Sequence, residues 1–221
     1  EIGSNRSTYS SESGDATQVF RVNGTAAENS VVWDTGPFGR RTKVWRARNN
    51  DTSSNADGGW NKTIHDLDPN KSYMSVVYVR RVGDTTEGYF YHGCGQGSNM
   101  TLKLSGEADG NPYFRSMHLT HMPKNVWCVS VGYIHANNDS STTNHGGLYR
   151  VDTGARITAY TAFKMHKDTT SQVHRTYLYY TKNPKSSLDW AMPGFYEITS
   201  DAPTLDNLLG GTVAVGAEGA P

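Results

Sequence analysis

YMSVVYVRR (residues 73–81) is the stretch on which the fold turns. In an extended chain its side chains alternate between two faces: Tyr73, Ser75, Val77 and Val79 on one, Met74, Val76, Tyr78 and Arg80 on the other. A second run, VWCVSVGYIH (126–135), puts Trp127, Val129, Val131 and Tyr133 together, as a half-buried strand does. Working outward, similar short runs recur: QVFRV (18–22), SVVWD (30–34), RTKVWRAR (41–48), GYFYHG (88–93), NMTLKL (99–104), ARITAY (155–160), HRTYLYYT (174–181) and GFYEIT (194–199). Turn signals such as GPFG, DPNK, VGD, ADGNP, NNDSS, HGG, DTG and KNP separate them. Nine or ten short strands at this spacing predict an all-β protein, an antiparallel β-sandwich of jelly-roll type. Only LDNLL (205–209) has a faint helical period, so no helices are at hand to make parallel crossovers. No internal repeat points to a propeller or solenoid.

The ends differ from the middle. Residues 1–17 are rich in Ser, Gly and Asn without a period, and read as a flexible lead-in or the end of a preceding module. Residues 18–200 are the expected sandwich domain, and 201–221 a Gly-rich tail, linker or edge appendage. The first residue, Glu1, suggests a processed product or a cut fragment.

Composition narrows the function. The chain has 221 residues, 35% of them hydrophobic, with 13 Tyr and 5 Trp, which suits one folded, aromatic-rich domain. Lys+Arg and Asp+Glu are 21 each, so the basic excess that phosphate binding requires is missing and no nucleic-acid partner is expected. No apolar run approaches the roughly 20 residues that cross a bilayer, so no membrane insertion is expected. Cys94 and Cys128 permit one disulfide but match no zinc spacing, and Cys128, inside an apolar run, reads more simply as a reduced, buried thiol.

Catalytic signatures are sparse: GxSxG, P-loop, HExxH and CxxC are all missing. His118 and His121 in MHLTH fall on opposite faces of a strand and read as ordinary surface or packing histidines. Gln172-Val173-His174 is similar to the QVH element of jelly-roll alginate lyases, in which Gln and His face the substrate cleft and a Tyr supplies a proton; Tyr177 would fill that role here. The arginine-rich and YFKAG-type motifs of those enzymes are missing, so lyase or depolymerase activity is the alternative reading, not the leading one. The carboxylates are scattered through turns and form no evident glycosidase pair. No metal site or cofactor is expected; calcium is the one ion that the loop Asp, Asn and carbonyl oxygens suit, without an EF-hand spacing to specify it.

Binding features are richer. Aromatic faces stack on the C–H side of a sugar ring while planar amides and charged groups meet its hydroxyls. Three loops supply both: RNNDTSSNADGGWN (48–61), DGNPYFRS (109–116) and HANNDSSTTNHGGLYR (135–150). From them the expected ligand contacts are Asn49, Asn50, Trp60, Tyr113, Arg115, Asn138, His145 and Tyr149.

Several segments in order, DTGPFG (34–39), VWRARNNDTSSNADGGWN (44–61), IHDLDPNKSYMSVVYVRR (64–81), NPYF (111–114), VGYIHANNDSSTTNHGGLYRVDTGARI (131–157) and DTTSQVHRTYLYYTKNP (168–184), resemble a β-sandwich module of phage tail fibres, tailspikes and related particle-surface adhesive proteins. The resemblance spans roughly residues 30–195. It implies a non-enzymatic receptor-binding domain that recognises host cell-surface carbohydrate, a homotrimer, and a place on the virion surface or outside the cell. A structural fibre module without ligand is a further alternative.

Trp60 stands apart. In SSNADGGWNKT (53–63) it follows Asp57-Gly58-Gly59, a turn whose glycines allow positive φ, within what reads as a surface loop. It is expected to peg that loop to the sandwich edge more than to meet a ligand, leaving Asn49, Asn50 and Asn55 the more exposed groups.

Overall fold

The computed structural model describes residues 7–8 and 20–210. In chain order its strands are β1 (Ser7–Thr8), β2 (Arg21–Val22), β3 (Asn29–Thr35), β4 (Arg41–Arg48), β5 (Ala56–Ile64), β6 (Tyr73–Arg81), β7 (Tyr89–Gly93), β8 (Thr101–Lys103), β9 (Tyr113–His118), β10 (Trp127–His135), β11 (Gly147–Arg150), β12 (Arg156–Ala159), β13 (Phe163–Met165), β14 (Gln172–Tyr179) and β15 (Ser187–Glu197). One helix, α1 (Leu205–Gly210), coincides with LDNLL. The strands form two sheets, a larger one in the order β12-β11-β10-β6-β15-β4-β3 with β1, β8 and β13 attached, and a five-stranded one in the order β2-β5-β14-β7-β9. This is the all-β sandwich that the sequence predicts. Apart from the parallel β10–β13 pair, the named strands pair antiparallel.

Alternation in β6 is realised, with one difference. Tyr73, Val77 and Val79 enter the core between the sheets, joined by Trp60, Phe90, Phe114, Ile134, Trp190 and Phe195. Met74, Val76 and Tyr78 are buried too, in a second cluster on the other side of the larger sheet with Val44, Trp127, Val129, Val131, Tyr196 and Leu208. The polypeptide after β15 covers that side: Ile198, Ala202 and Leu209 pack there, and the Tyr78 hydroxyl donates to the Leu208 carbonyl at 2.5 Å. So β10, expected to be half-buried, is buried on both faces, and residues up to 210 pack against the sandwich; 211–221 lie outside the described residues. Each such Val, Leu or Phe contributes about 1.5–3 kcal/mol by leaving water.

Arg80 shares the second face with these apolar residues because it has a partner there. Asp189, fully buried on β15, accepts from Arg80 Nη2 at 2.7 Å and from Arg46 Nε and Nη2 at 2.7 and 2.9 Å. The Arg80 guanidinium lies 4.6 Å over the Trp127 ring.

The stretch read as a surface loop around ADGGW is instead β5, a central strand of the smaller sheet. Gly58 and Gly59 do take positive φ, 125° and 115°, but inside the strand rather than in a turn. Close approach requires them: a Cβ on Gly59 would lie 2.2 Å from the Thr176 carbonyl oxygen, and one on Gly58 would lie 2.6 Å from Ala47 Cβ.

Candidate functional site

The five-stranded sheet sorts its side chains by parity. On β7, Phe90 and His92 point into the core, which sends Tyr89 and Tyr91 to the outer face; on β14, Thr176 and Leu178 point inward, which sends Arg175, Tyr177 and Tyr179 outward. Register then sets Tyr177 opposite Tyr91, Tyr179 opposite Tyr89, and Arg175 opposite Asn61. Tyr113 on the edge strand β9 and Tyr180 just past β14 complete the group.

Six tyrosines therefore share one sheet face. The Tyr91 ring lies 4.8 Å from Tyr113, 5.5 Å from Tyr179 and 6.2 Å from Tyr180; Tyr180 lies 5.9 Å from Tyr89. Exposure is graded across them: Tyr177 is buried, Tyr91, Tyr113 and Tyr179 are half-buried, and Tyr180 is 53% exposed. Tyr180 also has φ of +60°, a conformation a bulky residue adopts only when its surroundings impose it. Its backbone N–H donates to the Asn55 carbonyl at 3.4 Å.

Arg175 anchors the buried end. Its Nη1 donates to Asn111 Oδ1 at 2.8 Å and to the Tyr113 hydroxyl at 3.2 Å, and Nη2 donates to the Pro112 carbonyl at 2.7 Å. The guanidinium sits 4.1 Å over the Tyr113 ring. The Tyr177 hydroxyl donates to Asn61 Oδ1. Burial pushes Tyr91 and Tyr177 up to about 12, so both hydroxyls keep their protons at neutral pH and act as hydrogen-bonding groups. The face thus combines flat aromatic surface with a few fixed amide and guanidinium groups.

The same parity disperses the lyase constellation. Gln172 and His174 face the core, not this surface. Gln172 Nε2 donates to the Met100 carbonyl at 2.9 Å, and its Oε1 accepts from Thr101 Oγ1 at 3.3 Å. His174 is fully buried, its ring 4.8 Å from Trp60 and 5.3 Å from His92, and burial followed by the charge of His92 holds it far below the ordinary imidazole value. Tyr177 lies on the opposite side of β14, so a cleft could not present all three to one substrate.

The expected ligand contacts scatter. Trp60 is 2% exposed and packs between the sheets, 4.7 Å from Phe20, so it pegs β5 in the core and offers no surface to a ligand. Asn49 is buried rather than exposed, its amide donating to the Asp51 carbonyl at 3.0 Å while its Oδ1 accepts from the Asp51 N–H. Asn50 and Asn55 are exposed in the β4–β5 connection. Tyr113 belongs to the tyrosine face, and Arg115 is exposed on the same strand. Asn138 and His145 are exposed in the β10–β11 connection of the other sheet, His145 with its ring 5.0 Å from Tyr133. Tyr149 packs on the second cluster. Sequence reasoning missed Tyr89, Tyr91, Tyr179 and Tyr180 as ligand contacts; period-two spacing in YFY and from Tyr177 to Tyr179 was the signal for the first three, whereas Tyr180, next to Tyr179 and past the end of β14 at φ +60°, carries no such signal. The cysteines, left open from sequence, are both buried free thiols.

No family model matches the chain, and no curated protein does. Among solved structures, a protein of unknown function from Shewanella oneidensis MR-1 is similar over 89% of this chain and 87% of that one, at 12% identity and a TM-score of 0.54. An exo-β-agarase structure is similar over 93% of this chain, at 12% identity and a TM-score of 0.54, but the chain spans only 26% of that enzyme. The C-terminal family 22 carbohydrate binding module of Clostridium thermocellum Xyn10B is similar over 92% of this chain and 99% of that one, at 10% identity and a TM-score of 0.49. At these identities the first two likenesses concern the fold, and the third carries no argument.

Proposed function

We propose that the protein is a non-catalytic carbohydrate-recognition domain and that the tyrosine face of its five-stranded sheet is the binding surface. The observation that carries this reading is the run from Tyr177 to Tyr180 and Tyr89: six phenol rings on one face, graded from buried to open, around an immobilised guanidinium. Half-open aromatic rings stack on sugar C–H groups, while Asn61, Asn111 and Arg175 hold hydrogen-bonding groups beside them. The chain's charge balance of 21 cations to 21 anions fits a neutral polysaccharide better than a polyanion.

The finer reading follows the resemblance over residues 30–195: a homotrimeric, phage-type receptor-binding module on a virion surface or outside the cell, attached to host surface glycan. The test is an array of cell-surface polysaccharides, probed with the wild type and with a Tyr89→Ala, Tyr180→Ala double variant. Saturable binding by the wild type, weakened about 30-fold or more in the variant at unchanged fold, is the expected result; removing a central contact typically costs about 2 kcal/mol. Equal binding by both proteins, or none by the folded wild type, refutes the assignment. Sedimentation checks the trimer separately.

A further inference from the structure

Near the Tyr179–Tyr180 end of the five-stranded sheet, three carboxylates converge. Glu28 ends a single 3-10 turn (Ala26–Glu28) before β3, Asp51 lies in the β4–β5 connection, and Asp57 lies in β5. One oxygen from each lies within 4.8 Å of the others. Glu28 and Asp57 are only 2% and 0% exposed, and Asp51 is open to solvent. Among the described residues none of the three is in an ion pair with Lys, Arg or His.

Each buried carboxylate is fixed by one oxygen and leaves the other unused. Glu28 Oε2 accepts from the Thr25 N–H at 2.7 Å, and Asp57 Oδ2 accepts from the Thr181 N–H at 3.0 Å. Glu28 Oε1 and Asp57 Oδ1 are buried without a hydrogen-bond partner. Asp51 is oriented in turn, since its Oδ1 accepts from the Ser53 N–H at 2.7 Å. Two glycines keep the surroundings free of side chain. A Cβ on Gly24 would stand 2.4 Å from Glu28 Oε2 and 2.8 Å from the Ala56 carbonyl, and one on Gly58 would stand 3.1 Å from the Glu28 carbonyl.

Buried, unpaired, mutually repelling carboxylates are costly to a fold, and a hard cation removes the cost. Oxygens within 4.8 Å of one another can share one cation, and a largely buried set of protein oxygens suits calcium, which takes six to eight oxygens and sheds its waters readily, better than magnesium, which dehydrates reluctantly and keeps several waters. The geometry points to a calcium site formed by Glu28, Asp51 and Asp57, which ties the turn before β3 and the β4–β5 connection to β5. Its ligands are all oxygens, three of them anionic, as calcium prefers over zinc. Its role is to hold the polypeptide that runs from Asn49 to Asp57.

The test uses the full chain after dialysis against EDTA, with melting followed at increasing calcium chloride and, separately, magnesium chloride. Calcium at a hundredfold its Kd is expected to raise Tm by about 5–10 °C, with magnesium much weaker. Terbium should give sensitised luminescence that calcium displaces. Glu28→Gln removes a buried charge, so it is expected to melt at or above the wild type without metal and to lose the calcium response. Asp51→Asn, at an exposed position, is expected to fold normally and to show a reduced response. A wild type indifferent to calcium, a Glu28→Gln variant that responds fully, or a magnesium response equal to that of calcium would overturn the assignment.

Discussion

Trp60→Ala separates a core peg from a ligand platform. The indole is 2% exposed, with Phe20 4.7 Å away, His174 4.8 Å away, and Trp45 and Trp190 lining the same small void. Little stands ready to fill the space: Trp45, His174 and Trp190 are rings fixed in paired strands, so the void would enlarge rather than collapse. Emptying such a site costs about 3–5 kcal/mol. For a chain of this length each kcal/mol lowers Tm by about 2–4 °C, so a fall of about 6–20 °C is expected. Urea unfolding should show a lower midpoint at an unchanged slope. Glycan affinity, measured well below the new Tm, should be retained. Tyr180→Gly is the counterpart: it relieves the +60° backbone and removes an exposed ring, so stability should hold or rise while affinity falls about tenfold or more. A Trp60→Ala protein that melts within about 2 °C of the wild type, or one that keeps its stability and loses binding, refutes the reasoning.

Other outcomes follow from the same packing. Gly59→Ala must accommodate a Cβ 2.2 Å from a backbone oxygen at φ +115°, and should lose at least about 2 kcal/mol in urea unfolding. His92, hydrogen-bonded to Ser75 and Ser130 in the core, is lowered by burial to about 3. Below pH 6.5 the unfolded chain takes up a proton there that the folded chain refuses, so stability present above 6.5 is lost as the pH falls toward 3. The difference in unfolding free energy between the wild type and His92→Gln should therefore slope by about 1.4 kcal/mol per pH unit across that window. Burial raises both Cys94 and Cys128 to about 12, so neither should react with a thiol reagent until the protein unfolds, and reductant should leave Tm unchanged.

Much of the architecture was legible because it is local. A side-chain period of two needs no partner, so YMSVVYVRR and VWCVSVGYIH announce their two faces, and LDNLL its one turn of helix, without reference to anything distant. The candidate site was legible only in pieces. YFY and YLY show period two, but alternation states that two sets of side chains part company, not which set goes inward. That choice is made by the opposing sheet: Phe90, Leu178 and Trp60 meet Phe195 and Val77 across the core, and the tyrosines are left outside. The same choice put Gln172 and His174 in the interior, separated from Tyr177 by the thickness of a strand.

Other errors share that cause. ADGGW carries the residues of a turn, and its glycines do take positive φ, yet β14 and β4 lie close enough against them to make the segment a strand. Asn49 looks like any polar loop residue until the Asp51 backbone turns back to satisfy its amide. Glu28 lies on a different piece of chain from Asp51 and Asp57, and no spacing rule joins them. Where alternation is strict, as in YMSVVYVRR, the sequence by itself determined the kind of element and its two faces, since these depend on neighbours along the chain; tertiary structure alone decided that ADGGW is strand and which face met the core, because both depend on what is packed against it.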